Sequence, residues 1–160
     1  MEKSAYLSAD GKYRYSLWRR WGETHRNVMF IGLNPSTADA QNDDPTIRRC
    51  VGYAKEWGFD ALSMTNLYAY RSPFPEGLYG PEDPVGFHND FVLRTQAKRA
   101  DLIIAAWGSM AKMFGNRHEQ VASMIPNLHC LKLNKDGAPA HPLYLKKDLT
   151  PFLFAAPVRG

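Results

Sequence analysis

Hydrophobic and polar positions change their period several times along the chain, and each change marks an element. Tyr13, Tyr15 and Leu17 alternate with Lys12, Arg14 and Ser16 after an Asp10-Gly11 pair, which predicts an N-terminal β-hairpin. Val28 to Leu33 is a short unbroken apolar run that ends in a Gly/Asn/Pro loop, the pattern of a strand buried on both faces. A helix follows in DDPTIRRCVGYAKEWG. There Asp44 suits the N-cap, Pro45 the first helical position, and Ile47, Cys50, Val51 and Ala54 share a face, with Gly58 as the stop.

The remaining pattern repeats this alternation. Ala61 to Leu67 reads as a second strand, Ser72 to Gly86 as a long Pro/Gly-rich excursion, and Asn89 to Arg99 as a helix. Leu102 to Trp107 reads as a third strand, Ser109 to Ile125 as helical with a break near Gly115-Asn116, and Leu128 to Leu133 as a fourth strand. Strands alternating with helices predict one α/β domain over residues 1–160, three-layered α/β/α, with a central four-stranded parallel sheet and the hairpin added. Ligands of such sheets gather at the carboxyl ends of the strands. Those ends carry Gly32-Leu33-Asn34-Pro35-Ser36, then Asn66 and Tyr68, then Trp107-Gly108-Ser109, and finally Asn134 with His141-Pro142.

Composition narrows the class. At 160 residues, 44% hydrophobic and 22% charged, the chain is long enough to bury a core without staples. No apolar run approaches a membrane span, and the N-terminus lacks an export pattern, so a cytoplasmic location and no membrane partner are expected. Cys50 and Cys130 match neither a redox pair nor a metal or cluster site. The net charge of +4 favours an anionic partner, although Arg19-Arg20, Arg48-Arg49 and Lys146-Lys147 come as pairs of the kind that face solvent.

The four strand ends hold amides, hydroxyls and aromatic faces with one histidine. They include neither a nucleophile elbow nor a phosphate-binding Walker loop, which argues against acyl and ordinary phosphoryl transfer. An Asn side chain offers a donor and an acceptor together, and Tyr68 offers a stacking face, so the set suits a flat, hydrogen-bonding nucleobase. His141 is placed to stabilise charge on a departing heterocycle, while Asn34 positions a water. The plainer readings are a turn for Asn34-Pro35, a structural histidine for His141, and packing for Trp107 and Tyr68. Gly108-Ser109 offers close backbone approach and a helix start that could take an anion; Asp39 and Asp43 raise a metal-assisted alternative, but no metal or other cofactor is expected.

GLNPS, the strand-end Asn66, WGSMAK and HP stand in the order seen in the uracil-DNA glycosylase superfamily, which the chain resembles from Gly32 to Pro142. That resemblance implies a sheet of the uracil-DNA glycosylase type. It also implies catalytic roles for Asn34 and His141 and base reading by Asn66, in a pocket completed by Gly32, Pro35, Ser36, Tyr68, Gly108 and Ser109. Through GLNPSTAD, DDPTIRRC and HPLYL it resembles more closely an uncharacterised bacterial family usually grouped with that fold. The expected activity is hydrolysis of the N-glycosidic bond of a modified or damaged base, in nucleic acid or a nucleotide. The alternative is a non-catalytic module that binds nucleic acid or a nucleotide through the same cleft. Asn34 stands where the most active branch carries Asp, and Leu143-Tyr144-Leu145 follows Pro142 where many members carry a phosphate-contacting Ser.

Overall fold

A computed structural model describes residues 1–154; residues 155–160, which the single-domain reading takes in, lie outside the described residues. Strand β1 (Glu2–Leu7) pairs antiparallel with β2 (Arg14–Arg20) across a turn in which Gly11 adopts φ +72°. Asp10 holds that turn by accepting from Ser8 Oγ and the Lys12 amide, as the Asp-Gly pair predicts. Strand β3 (Asn27–Gly32) leads to helix α1 (Pro45–Glu56), then strand β4 (Ala61–Asn66) and helix α2 (Asn89–Arg99). Strand β5 (Leu102–Ala105), helix α3 (Arg117–Met124), β6 (Leu128–Cys130) and β7 (Phe152–Leu153) complete the order.

The strands form one seven-stranded mixed sheet in the order β1-β2-β4-β3-β5-β6-β7. Its centre, β4-β3-β5-β6, is parallel, as expected from the βα alternation. The hairpin is not an appendage, because β2 continues the sheet antiparallel to β4, with Leu17 opposite Met64. Strand β7, two exposed residues long and antiparallel to β6, carries no periodic signal from which the sequence could have announced it. Among the described residues no helix is long and apolar enough to cross a membrane.

Alternation along β3 divides the core between the two faces. Val28 and Phe30 pack with Ile47, Cys50, Tyr53 and Ala54 of α1, whereas Met29 and Ile31 pack with Leu93 of α2 and Val121 of α3. Helix α1 begins as its sequence predicts, with Asp44 Oδ1 accepting from the Ile47 amide at 2.9 Å and Pro45 in the first turn. The segment expected as one broken helix from Ser109 splits at Gly115, which has φ +95°; Ser109–Phe114 is a 3-10 turn and only α3 is α-helical. The fourth strand stops at Cys130 rather than Leu133. Beyond it, Asn134 donates from its amide to the Ala138 carbonyl and Ala140 to that of Lys132, so Lys132–Ala140 folds back as a narrow loop. That return delivers His141 to the carboxyl edge of the parallel strands, and the Gly108 amide donating to the Pro139 carbonyl at 2.9 Å fixes it there.

Candidate functional site

The carboxyl ends of β4, β3 and β5 open into a cavity of about 470 Å³. Gly32, Asn34, Pro35, Ser36, Asn66, Gly108, Ser109 and His141 all line it. Tyr68 does not: it is buried below, its hydroxyl donating to the Phe114 carbonyl at 3.0 Å, so the expected stacking face is a core side chain. Its ring belongs to the core on the α2 and α3 side of the sheet, with Leu93 and Val121, and packs edge-on against Phe114.

Each polar group has a defined state. Asn34 Nδ2 donates to the carbonyls of Pro35 at 3.3 Å and Ser72 at 3.1 Å, which leaves Oδ1 as its acceptor for a ligand or water. Asn66 is 2% exposed, and among the described residues its Nδ2 has no hydrogen-bond partner. Gly32 lies opposite Asn66 in the β3–β4 register, and a Cβ there would meet Asn66 Oδ1 at 2.7 Å and Met64 Cε at 3.0 Å. The missing side chain of Gly32 is therefore what makes room for the carboxamide.

His141 sits exposed at the rim, and the Leu143 amide donates to its Nδ1 at 3.1 Å. A neutral imidazole that accepts at Nδ1 carries its proton on Nε2, so the free edge of the ring is a donor. Desolvation by the surrounding protein lowers its pKa below the usual histidine value, and the charge of Asp44 opposes that shift. Gly108 packs next to it with φ +76°, a conformation that favours glycine. The Ser109 hydroxyl is already used, donating to Asp136 at 3.0 Å and accepting from Asn134 Nδ2 at 2.8 Å. Because Ser109 opens a short 3-10 turn and not an α-helix, the expected anion-binding helix start is absent there.

The sequence matches the family described as Protein of unknown function (DUF1643) over residues 14–143. The chain belongs to the DUF1643 family. No curated protein and no solved structure matches it, and nothing in these comparisons links it to the uracil-DNA glycosylase superfamily. The first and last residues of the DUF1643 match, Arg14 and Leu143, both line the cavity.

Two charged residues line the cavity beside those that the strand-end motifs name. Asp44, which the sequence places with Asp39 and Asp43 for a metal but more readily as the helix cap, also lines the cavity while 8% exposed. Arg14 was read as one of the polar positions of a hairpin, but β2 runs antiparallel to β4, so its first residue lies beside the carboxyl end of β4 and is 2% exposed. Neither local pattern carries a signal of this; only the pairing of β2 with β4 and the place where α1 starts bring the two to the edge where the parallel strands end.

The acidic pair considered for a metal is engaged elsewhere. Asp43 forms an ion pair with Arg19 at 2.9 Å, and Asp39 Oδ1 accepts from the amides of Gln41 and Asn42. Among the described residues no group of three or more His, Cys, Asp or Glu could hold a metal ion. Arg19, expected at the surface with Arg20, is fully buried because the 39–43 loop wraps its guanidinium.

Proposed function

We propose that the cavity holds a nucleobase and that the protein hydrolyses the N-glycosidic bond that carries it. The observation that carries this reading is His141, whose Nδ1 accepts from the Leu143 amide and so leaves Nε2 as the donor edge of the neutral ring, at the rim of a cavity that also holds the Asn34 and Asn66 carboxamides. The volume of about 470 Å³ suits a small ligand, and paired donors and acceptors on Asn side chains suit the edge of a base. The order of the strand-end motifs, which resembles that of the uracil-DNA glycosylase superfamily, points the same way and with it to a sheet of that type.

In this reading a water held by Asn34 Oδ1 attacks the sugar carbon. The carbon–nitrogen bond breaks and its electron pair leaves on the base, where a hydrogen bond from His141 Nε2–H stabilises the developing charge. The water's proton passes to Asp44, whose Oδ1 is held by the Ile47 amide and whose carboxylate lines the same cavity. The immediate products are the base anion, a sugar hydroxyl and protonated Asp44; the proton then passes from Asp44 through solvent to the base, which gives the free base and restores the carboxylate.

A second reading, a binding module for nucleic acid or a nucleotide without catalysis, is favoured by Asn34 itself, whose Nδ2 is committed to the loop. Base release, followed by chromatography on oligonucleotides, nucleotides and nucleosides carrying uracil, hypoxanthine, xanthine or alkylated bases, separates the two. Hydrolysis predicts release that falls about 100-fold or more in His141→Ala, the order of loss on deleting one transition-state donor, and falls in Asn34→Ala. No release by the folded wild-type protein leaves the binding reading.

A further inference from the structure

Two buried arginines on one strand are held in opposite ways. Arg19 makes five hydrogen bonds, to Asp43, to the carbonyls of Ser4, Trp18, Asp39 and Asn42, and its charge is met by the Asp43 carboxylate at 2.9 Å. Arg14 is as thoroughly buried, but among the described residues its guanidinium makes one hydrogen bond, Nη1 to the Ala38 carbonyl at 2.9 Å. Its Nε has no partner, and no carboxylate lies within 4.0 Å of it among the described residues. Asp44 attracts it only from farther away, and burial draws its pKa down to about 10. A buried charge left this incompletely paired is costly, and structures that keep one generally use it.

What surrounds Arg14 indicates the use. It lines the cavity together with Ser36, Thr37 and Thr46, whose hydroxyls are not engaged by any side-chain hydrogen bond among the described residues. A guanidinium and three hydroxyl donors around one space match a tetrahedral oxyanion, and a guanidinium fork pairs with phosphate oxygens better than a point charge does.

We propose that Arg14 binds a phosphate group of the cavity's ligand, with Ser36, Thr37 and Thr46 supplying further donors. The inference rests on the nucleobase reading only for what the phosphate is attached to, a nucleotide or one unit of a nucleic-acid strand. Arg14 is thus a binding residue that sets the substrate class to phosphorylated, not free nucleosides.

The test measures thermal unfolding midpoints and binding for the wild type, Arg14→Met, Arg14→Lys and Thr37→Val. Probes are inorganic phosphate against chloride at equal ionic strength, uridine and inosine, their 5′-monophosphates, and a short single-stranded oligonucleotide containing uracil or hypoxanthine. Phosphate is expected to raise the wild-type midpoint, and a nucleotide to bind about tenfold or more tighter than its nucleoside. That ratio should fall close to one in Arg14→Met and recover in part in Arg14→Lys. Without ligand, Arg14→Met should unfold no earlier than wild type, because it removes an unpaired buried charge. Thr37 is exposed, so Thr37→Val tests the same subsite without threatening the fold.

An Arg14→Met protein that is destabilised, combined with a wild type indifferent to phosphate, overturns the proposal and makes Arg14 structural. Nucleoside and nucleotide binding equally overturns it too, while leaving the nucleobase reading standing. Phosphate binding with no gain from any base-bearing probe supports Arg14 and removes the nucleobase reading instead. A preference between monophosphate and oligonucleotide then identifies whether the phosphate belongs to a free nucleotide or to a strand.

Discussion

The amide of Leu143 donates to Nδ1 of His141 at 3.1 Å, and this single bond sets which way the imidazole can act. Protonating the ring would place an N–H at Nδ1 against another N–H, so the bond and the desolvation of the ring both favour the neutral form. A histidine with a lowered folded-state pKa contributes stability that is present above its unfolded value, near 6.5, and that is lost as pH falls through the folded value. Thermal midpoints of the wild type should therefore drop more steeply below about pH 6.5 than those of His141→Gln. Equal slopes in the two proteins would show that the ring is not held neutral.

Gly32 and Asn66 form the tightest fit in the cavity floor. Gly32→Ala puts a Cβ at 2.7 Å from Asn66 Oδ1 and 3.0 Å from Met64 Cε, inside a core where both neighbours are buried. The expected cost is about 1–3 kcal/mol in denaturant unfolding, with loss of ligand binding as Asn66 is displaced. Gly52→Ala is the matched control. Nothing lies within 4 Å of a Cβ there, and the position is inside α1, so that change should stabilise by about 0.5–1 kcal/mol and leave binding intact.

The contrast between Asn66 and Arg14 also shows what the sequence could reveal. Asn66 was legible because the βα alternation makes Ala61 to Leu67 a strand, and a strand of a parallel sheet presents its ligand-facing residues at its carboxyl end. The same reasoning located Gly32, Asn34 and Gly108 by position alone. Arg14 and Asp44 were illegible because their local patterns already had complete explanations, a polar hairpin position and a helix cap. Only the antiparallel pairing of β2 with β4, a contact between segments distant in sequence, brings Arg14 to the site. Tyr68 failed for the opposite reason: proximity to Asn66 along the chain says nothing about the side of the sheet on which a side chain points.

That placement of Tyr68 makes its own prediction. Tyr68→Phe removes a buried hydroxyl that donates to the Phe114 carbonyl at 3.0 Å and leaves that carbonyl without its partner. Unfolding free energy should fall by about 0.5–1.5 kcal/mol. Affinity for any cavity ligand should stay within twofold or so of wild type, since the ring packs beside Phe114 outside the cavity lining. A large loss of affinity with unchanged stability would return Tyr68 to the site as a stacking face.

Asp44 allows its two duties to be separated by chemistry. As N-cap, its Oδ1 accepts from the Ile47 amide at 2.9 Å, a duty that Asn performs equally well and Ala cannot. As the carboxylate of the cavity, it is the group that takes the water's proton in the proposed hydrolysis, a duty that neither Asn nor Ala can perform. Both changes remove the charge that attracts the buried Arg14, so the capping duty is read from their difference: Asp44→Ala should be about 1 kcal/mol less stable than Asp44→Asn. Base release should fall in both, by about 100-fold or more, with ligand binding retained in Asp44→Asn. If instead Asp44→Asn releases base at the wild-type rate, the carboxylate is only a cap and the water's proton leaves by another route.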